Sequence, residues 1–197
     1  MGRIAKTMAS IGGTLFGAAA FAAPANSDAP ADSEVPRHAQ FDKGTWTFQT
    51  YGGYMNDLGP FDVEAGFASA GFSYYFVDGM SLGAEVGGYA IGQPGEDALA
   101  ASAGLVFRHH LYDDGDASVF VDVVGSLFEA TADVPSAGTR FNFLTGLGLG
   151  VTKRLDARSN LLVGVRYFHL SNANSFGDDR NPALNGITGY VGVMFKL

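Results

Sequence analysis

From residue 44 to the C-terminus the chain breaks into segments in which apolar side chains recur at every second position. A period of two is the repeat of a β-strand, whose successive side chains point to opposite faces. Val119, Val121, Val123 and Leu127 share one face, with Ser118 and Asp122 on the other. Phe141, Phe143, Leu147, Leu149 and Val151 oppose Asn142, Gly146, Gly148, Gly150 and Thr152. At the end of the chain Val191, Val193, Phe195 and Leu197 oppose Tyr190, Gly192 and Lys196. The pattern predicts eight strands near 44–54, 63–76, 80–91, 98–112, 117–129, 139–153, 160–172 and 186–197. Each is long enough to cross a bilayer as a tilted strand, which takes about 9–11 residues. In the second strand Phe67 and Phe72 fall on opposite faces, which leaves its register open.

Soluble sandwiches and lipocalins also alternate, so two further features choose between them and a membrane barrel. First, Glu85, Arg108, Asp122 and Arg166 all lie opposite the apolar stripe. A soluble barrel encloses its apolar face. One with small and paired charged residues inside and an apolar band outside suits lipid. Second, the connections alternate in length: short at 78–79, 113–116 and 155–159, longer at 55–62, 92–97, 130–138 and 173–185. Short periplasmic turns and longer outer loops are the habit of outer-membrane barrels. The expected fold is therefore all-β, an eight-stranded antiparallel transmembrane barrel of the outer membrane. Its narrow interior is filled by side chains rather than open as a pore. The ending Phe195-Lys196-Leu197 resembles the C-terminal signal of such barrels.

The composition agrees. The 28 Gly, 16 Phe and 8 Tyr suit strands in close approach and aromatic girdles, and no stretch beyond the N-terminus is long and apolar enough for a membrane helix. The absence of cysteine excludes disulfides and thiolate metal sites. Arg3 and Lys6, the apolar stretch Met8–Phe21 and the small-x-small Ala20-Phe21-Ala22 read as a signal peptide over 1–22. Residues 23–43, rich in Pro, Ala, Ser and acids, read as a periplasmic linker, and 44–197 as the barrel. A net charge of −8, more negative once the leader is removed, makes nucleic acid a poor partner.

One constellation carries chemistry. In the seventh strand Leu161, Val163, Val165 and Tyr167 form the lipid-facing stripe, which continues into His169 and Ser171. Residues at i and i+2 of a strand point the same way with Cα atoms about 6.6–6.8 Å apart, so an imidazole and a hydroxyl there can meet. A base held against a serine hydroxyl is what a serine nucleophile requires. Asn172 and the amides that follow it are placed to donate to an oxyanion. The pair lies at the outer end of the barrel.

His169-Leu170-Ser171-Asn172-Ala173, followed by Asn181-Pro182 and a closing strand, resembles the PagL family of lipid A 3-O-deacylases, whose motif is H-x-S-N-A on strand seven. The resemblance covers about Gly44 to Leu197 and implies an outer-leaflet serine esterase that removes an ester-linked acyl chain from lipid A. It implies His169 as general base, Ser171 as nucleophile and Asn172 as the oxyanion-hole side chain. A glutamate in the loop before strand eight orients the histidine in the family. Aligning the Asn-Pro pair puts Asn185 there, and Asp178 and Asp179 are alternatives if the loop folds back. The family's glycine after the alanine is replaced by Asn174. An acyl groove is expected among Tyr167, Phe141 and Phe143. The chemistry calls for no metal and no cofactor. The implied partners are lipid A and the outer membrane, with a homodimer left open. A non-catalytic structural barrel, or a small transport or adhesion barrel, are the competing readings, and Asn185 favours the first of them.

Other polar groups have structural readings. His109 and His110 face opposite ways near the periplasmic end, and His38 falls in the linker. Glu85, Arg108, Asp122 and Arg166 are expected as a lumen network. Asp113-Asp114-Gly115-Asp116 is expected as a hairpin turn, since it lacks the later ligands of a calcium loop. Gly146, Gly148 and Gly150 have no following helix and make room in the lumen rather than bind a dinucleotide.

Overall fold

The computed structural model describes residues 40–197, so the expected signal peptide, His38 and most of the linker lie outside the described residues. Eight strands run in chain order: β1 Trp46–Asp57, β2 Glu64–Val77, β3 Met80–Gly92, β4 Ala98–Asp113, β5 Ala117–Val134, β6 Thr139–Arg154, β7 Ser159–Ser171 and β8 Leu184–Lys196. Every strand pairs antiparallel with its neighbour in sequence, and β8 pairs with β1 to close the barrel. Closure leaves no strand with an unpaired edge, which hydrocarbon could not hydrogen-bond.

The alternation read from the sequence is the alternation of the walls. Val123, Leu127, Leu147, Leu149, Val165 and Val191 are exposed on the outside, while Asp122, Thr152 and Leu162 are buried inside. β2 is settled too. Phe67 turns inward, edge-on to Tyr51 and stacked on Tyr89, whereas Phe72 is exposed on the outer wall.

The interior is layered. Its middle holds the ionic network: Asp122 accepts from Arg108 at 3.2 Å and from Arg166 at 3.0 Å, and Gln49 links Arg108 to Glu85. Two cations sharing one buried carboxylate would be costly without those further partners. At the end that bears residues 40–45 and the C-terminus, here the terminal end, Phe41, Tyr75, Phe120, Leu162 and Met194 pack together. At the far end Val63, Ile91, Phe128, Val134, Phe168, Leu170 and Leu184 form an apolar cluster. Apolar inward positions near strand ends are possible because each mouth must be stoppered by packing, whereas charges need partners on several strands.

β6 makes room for this filling. A Cβ at Gly146 would lie 2.7 Å from Arg166 Cδ, one at Gly148 would collide with Asp122, and one at Gly150 with the Phe120 ring. The three glycines thus admit the network and its neighbour, as expected of a narrow lumen. Gln40–Lys43, read from sequence as the end of the linker, lie against the terminal mouth. The Phe41 ring stacks on His110 at 3.8 Å and on Tyr75 at 5.3 Å. His110 faces inward, bonded to Tyr75 and Ser118, and His109 faces out.

Connections at the terminal end are short: Asp78–Gly79, Asp114–Asp116 and Leu155–Arg158. In the second of these the Asp114 carboxylate accepts the amides of Asp116 and Ala117. Those amides, Ala117 foremost, hold its pKa down at about 2. At the far end one expectation fails. Residues 130–138 are not a loop, because β5 continues to Val134 and turns tightly through Pro135–Gly138. Ala130, Ala132 and Val134 keep the inward alternation going, and Arg140 donates to the Thr131 carbonyl. The connection from β7 to β8 is the long one, with a short 3-10 turn at Asp178–Arg180.

Candidate active site

β7 reads Ser-Asn-Leu-Leu-Val-Gly-Val-Arg-Tyr-Phe-His-Leu-Ser, and its pleat decides what each side chain meets. Leu162, Arg166, Phe168 and Leu170 go into the lumen, so Val163, Val165, Tyr167, His169 and Ser171 go to the outer wall. The burial of four inward neighbours holds the register that keeps His169 and Ser171 outside, and a slip of one residue would exchange the two sets.

The His169 ring spans two partners, with Nε2 3.0 Å from Ser171 Oγ and Nδ1 2.8 Å from Asn185 Oδ1. A carboxamide oxygen can only accept, so Nδ1 carries the hydrogen and Nε2 is left with a lone pair toward the serine hydroxyl. That is the tautomer a general base needs. Asn185 reaches the imidazole because β8 begins two residues earlier than its periodicity predicts. Leu184 is buried in the far-end cluster, and Asn185 thereby joins the ladder directly opposite His169. Of the two orienting candidates whose side chains are described, Asn185 and Asp179, Asn185 is the one in contact. Asp179 makes no hydrogen bond to the ring among the described residues, which do not include the side chain of Asp178.

Sequence reasoning missed the Tyr167 hydroxyl. It donates to the same Asn185 Oδ1 at 2.7 Å, although Tyr167 was expected only to line an acyl groove. Its place two residues before His169 on one stripe was the available signal. Phe143 pairs with Ser171 across β6 and β7, and Phe141 packs edge-on to Phe143 with ring centres 5.3 Å apart. The expected groove residues therefore flank the serine on one side and the histidine on the other.

Asn172 leaves the ladder and turns inward. Its side-chain NH2 donates to the Arg180 carbonyl at 2.6 Å and to Thr139 Oγ1 at 3.1 Å, and its backbone N–H donates to Asn181 Oδ1 at 3.0 Å. Asn181 in turn donates to Asn174 Oδ1, and Arg180 ties the loop to Asp133 and the Gly138 carbonyl. The chain between these anchors is forced into the left-handed region at Ala173 and Asn174, with φ of 52° and 60°. Such values are uncommon for residues other than glycine. Among the described residues the backbone N–H groups of Ala173 and Asn174 have no acceptor.

These features define a class: a closed eight-stranded barrel with an apolar outer wall, bearing on that wall a serine, a histidine and an asparagine in hydrogen-bonded series. The chain belongs to the lipid A 3-O-deacylase (PagL) family, whose model matches residues 41–194. Its fold is similar to that of Neisserial surface protein A, at a TM-score of 0.59 and 15% identity over 78% of this chain and 96% of that one. It is also similar to the outer membrane protein OprG from Pseudomonas aeruginosa, at a TM-score of 0.53 and 10% identity over 80% of this chain and 97% of that one. At such identities the two structures speak to the fold alone. No curated protein matches the chain in sequence.

Proposed function

We propose that this protein, exported by its N-terminal signal, is an outer-membrane serine esterase that hydrolyses the 3-O-acyl ester of lipid A from the outer leaflet. The observation that carries the reading is the His169 imidazole held between Ser171 Oγ and Asn185 Oδ1. His169 Nε2 takes the hydroxyl proton as Ser171 Oγ bonds to the acyl carbon. The carbonyl oxygen becomes an oxyanion, and the amides of Ala173 and Asn174, which have no acceptor among the described residues, are its candidate donors. Asn172 serves by fixing the loop that presents them. The imidazolium returns its proton to the sugar oxygen as the acyl–sugar bond breaks, leaving an acyl-serine. Water, deprotonated by His169, releases the fatty acid and restores Ser171.

Placing these groups on the outer wall answers a problem of access, because the ester of a membrane lipid does not leave the bilayer. With both termini in the periplasm, His169 and Ser171 stand at the outer end of β7. Mass spectrometry of lipid A from cells expressing the protein should show loss of one ester-linked chain. Ser171→Ala should leave lipid A fully acylated while folding as before, and deacylation by that variant would sink the mechanism.

The neutral Asn185 favours a non-catalytic barrel of the same ancestry. That reading holds if the folded wild-type protein cleaves neither lipid A nor an aryl ester.

A further inference from the structure

The partner of the histidine is a carboxamide, and a carboxamide can be turned end for end with little change of shape. One orientation offers oxygen to the imidazole. The other offers NH2, to which Nδ1 must present its lone pair, so that the hydrogen moves to Nε2 and the serine loses its base. A carboxylate has no such ambiguity. The substitution of Asn for the family's acid therefore creates a need that the rest of the wall must meet.

Two groups, one on β7 and one just before β8, bear on the choice. The Tyr167 hydroxyl donates to Asn185 Oδ1 at 2.7 Å, and Asn185 Nδ2 lies 3.5 Å from the Ala183 carbonyl. The second contact is long and weak. The first is short, and Tyr167 is 48% exposed on a wall that faces lipid, where a phenol hydrogen finds few other acceptors. Were the amide reversed, the hydroxyl could accept from Nδ2 but its own hydrogen would be left without a partner, and an unmade hydrogen bond in an apolar setting is costly. Tyr167, His169 and Ser171 occupy alternate positions of one strand, so the pleat that aligns base and nucleophile also brings the phenol to the amide.

We propose that Tyr167 is a positioning residue: by donating to Asn185 Oδ1 it locks the carboxamide with its oxygen toward His169 and so holds the imidazole in the tautomer that can accept the Ser171 proton. This inference rests on the esterase reading for its effect on turnover, but not for its effect on the imidazole.

The test uses the full barrel in lipid nanodiscs with an aryl ester substrate, comparing Tyr167→Phe in the wild-type and in the Asn185→Asp backgrounds. In the wild-type background kcat should fall about tenfold, the effect of one lost hydrogen bond, with KM within about twofold. In the Asn185→Asp background, where both carboxylate oxygens are alike, the same change should cost no more than about twofold. An equal loss in the two backgrounds, or a loss in KM alone, overturns the proposal. Nitrogen-15 NMR of labelled histidine supplies the readout that turnover cannot. His169 should carry its hydrogen on Nδ1 in the wild type and show an Nε2–H population in Tyr167→Phe. An unchanged tautomer overturns the proposal whatever the turnover. If Ser171→Ala proves as active as the wild type, the esterase reading fails, and the tautomer still decides the role of Tyr167.

Discussion

At the scale of single residues, a hydrogen-bonded series is assembled from groups whose individual chemistry is ordinary. His169 and Ser171 are two apart on one strand, and Asn185 meets them from the next. Replacing an acid by an amide in a serine triad costs about 10⁴ in rate where the amide imposes the wrong tautomer. Here the carboxamide oxygen faces the ring, so the tautomer is kept and only the charge opposite the developing imidazolium is missing. Asn185→Asp should then raise kcat about tenfold or more, well short of the full 10⁴, as read from initial rates on an aryl ester. A kcat that stays level or falls would mean that the neutral partner does not limit the reaction. His169, Ser171 and their shared face were legible in the sequence, because a two-residue period states which side chains point together. That Asn185 meets the imidazole was not, since it turns on where β8 begins.

At the scale of elements, the strand bounds fall within a few residues of those the periodicity predicts, and two of the departures share a cause. β5 runs on to Val134 and β8 starts at Leu184 because inward apolar residues at the far end find one another in a common cluster. The alternation Ala130-Thr131-Ala132-Asp133-Val134 was visible, but its small and polar members looked like a loop. The β7–β8 connection was readable as long and no further. Its shape depends on Asn172, whose side chain bonds the Arg180 carbonyl and Thr139. Asn172→Ala removes both bonds. It should lower kcat by about 10²-fold, as for a lost oxyanion donor, while heat-modified gel mobility still shows a closed barrel. Activity close to wild type would dissociate this loop from oxyanion stabilisation.

At the scale of the whole molecule, the distribution of apolar surface is the argument for a membrane. Val165 lies midway along β7, 54% exposed on the outer wall and flanked by other exposed aliphatics. On a barrel standing in water Val165→Arg would be close to neutral. In a bilayer it should cost about 2–4 kcal/mol, measured by denaturant titration in vesicles. A negligible cost there would contradict the lipid-facing wall. The lumen makes the complementary point, with Asp122 fully buried between Arg108 and Arg166 where glycines on β6 leave it space.

The sequence by itself determined the number of strands, the face that meets lipid, and the common direction of Tyr167, His169 and Ser171, because each follows from local alternation along one chain segment. Only the tertiary structure decided that Asn185 is the partner of His169, that Tyr167 shares its carboxamide oxygen, and that Asn172 turns inward to hold the loop. Those outcomes depend on the stagger between neighbouring strands, which is set by packing inside the closed barrel and has no signature within any one of its strands.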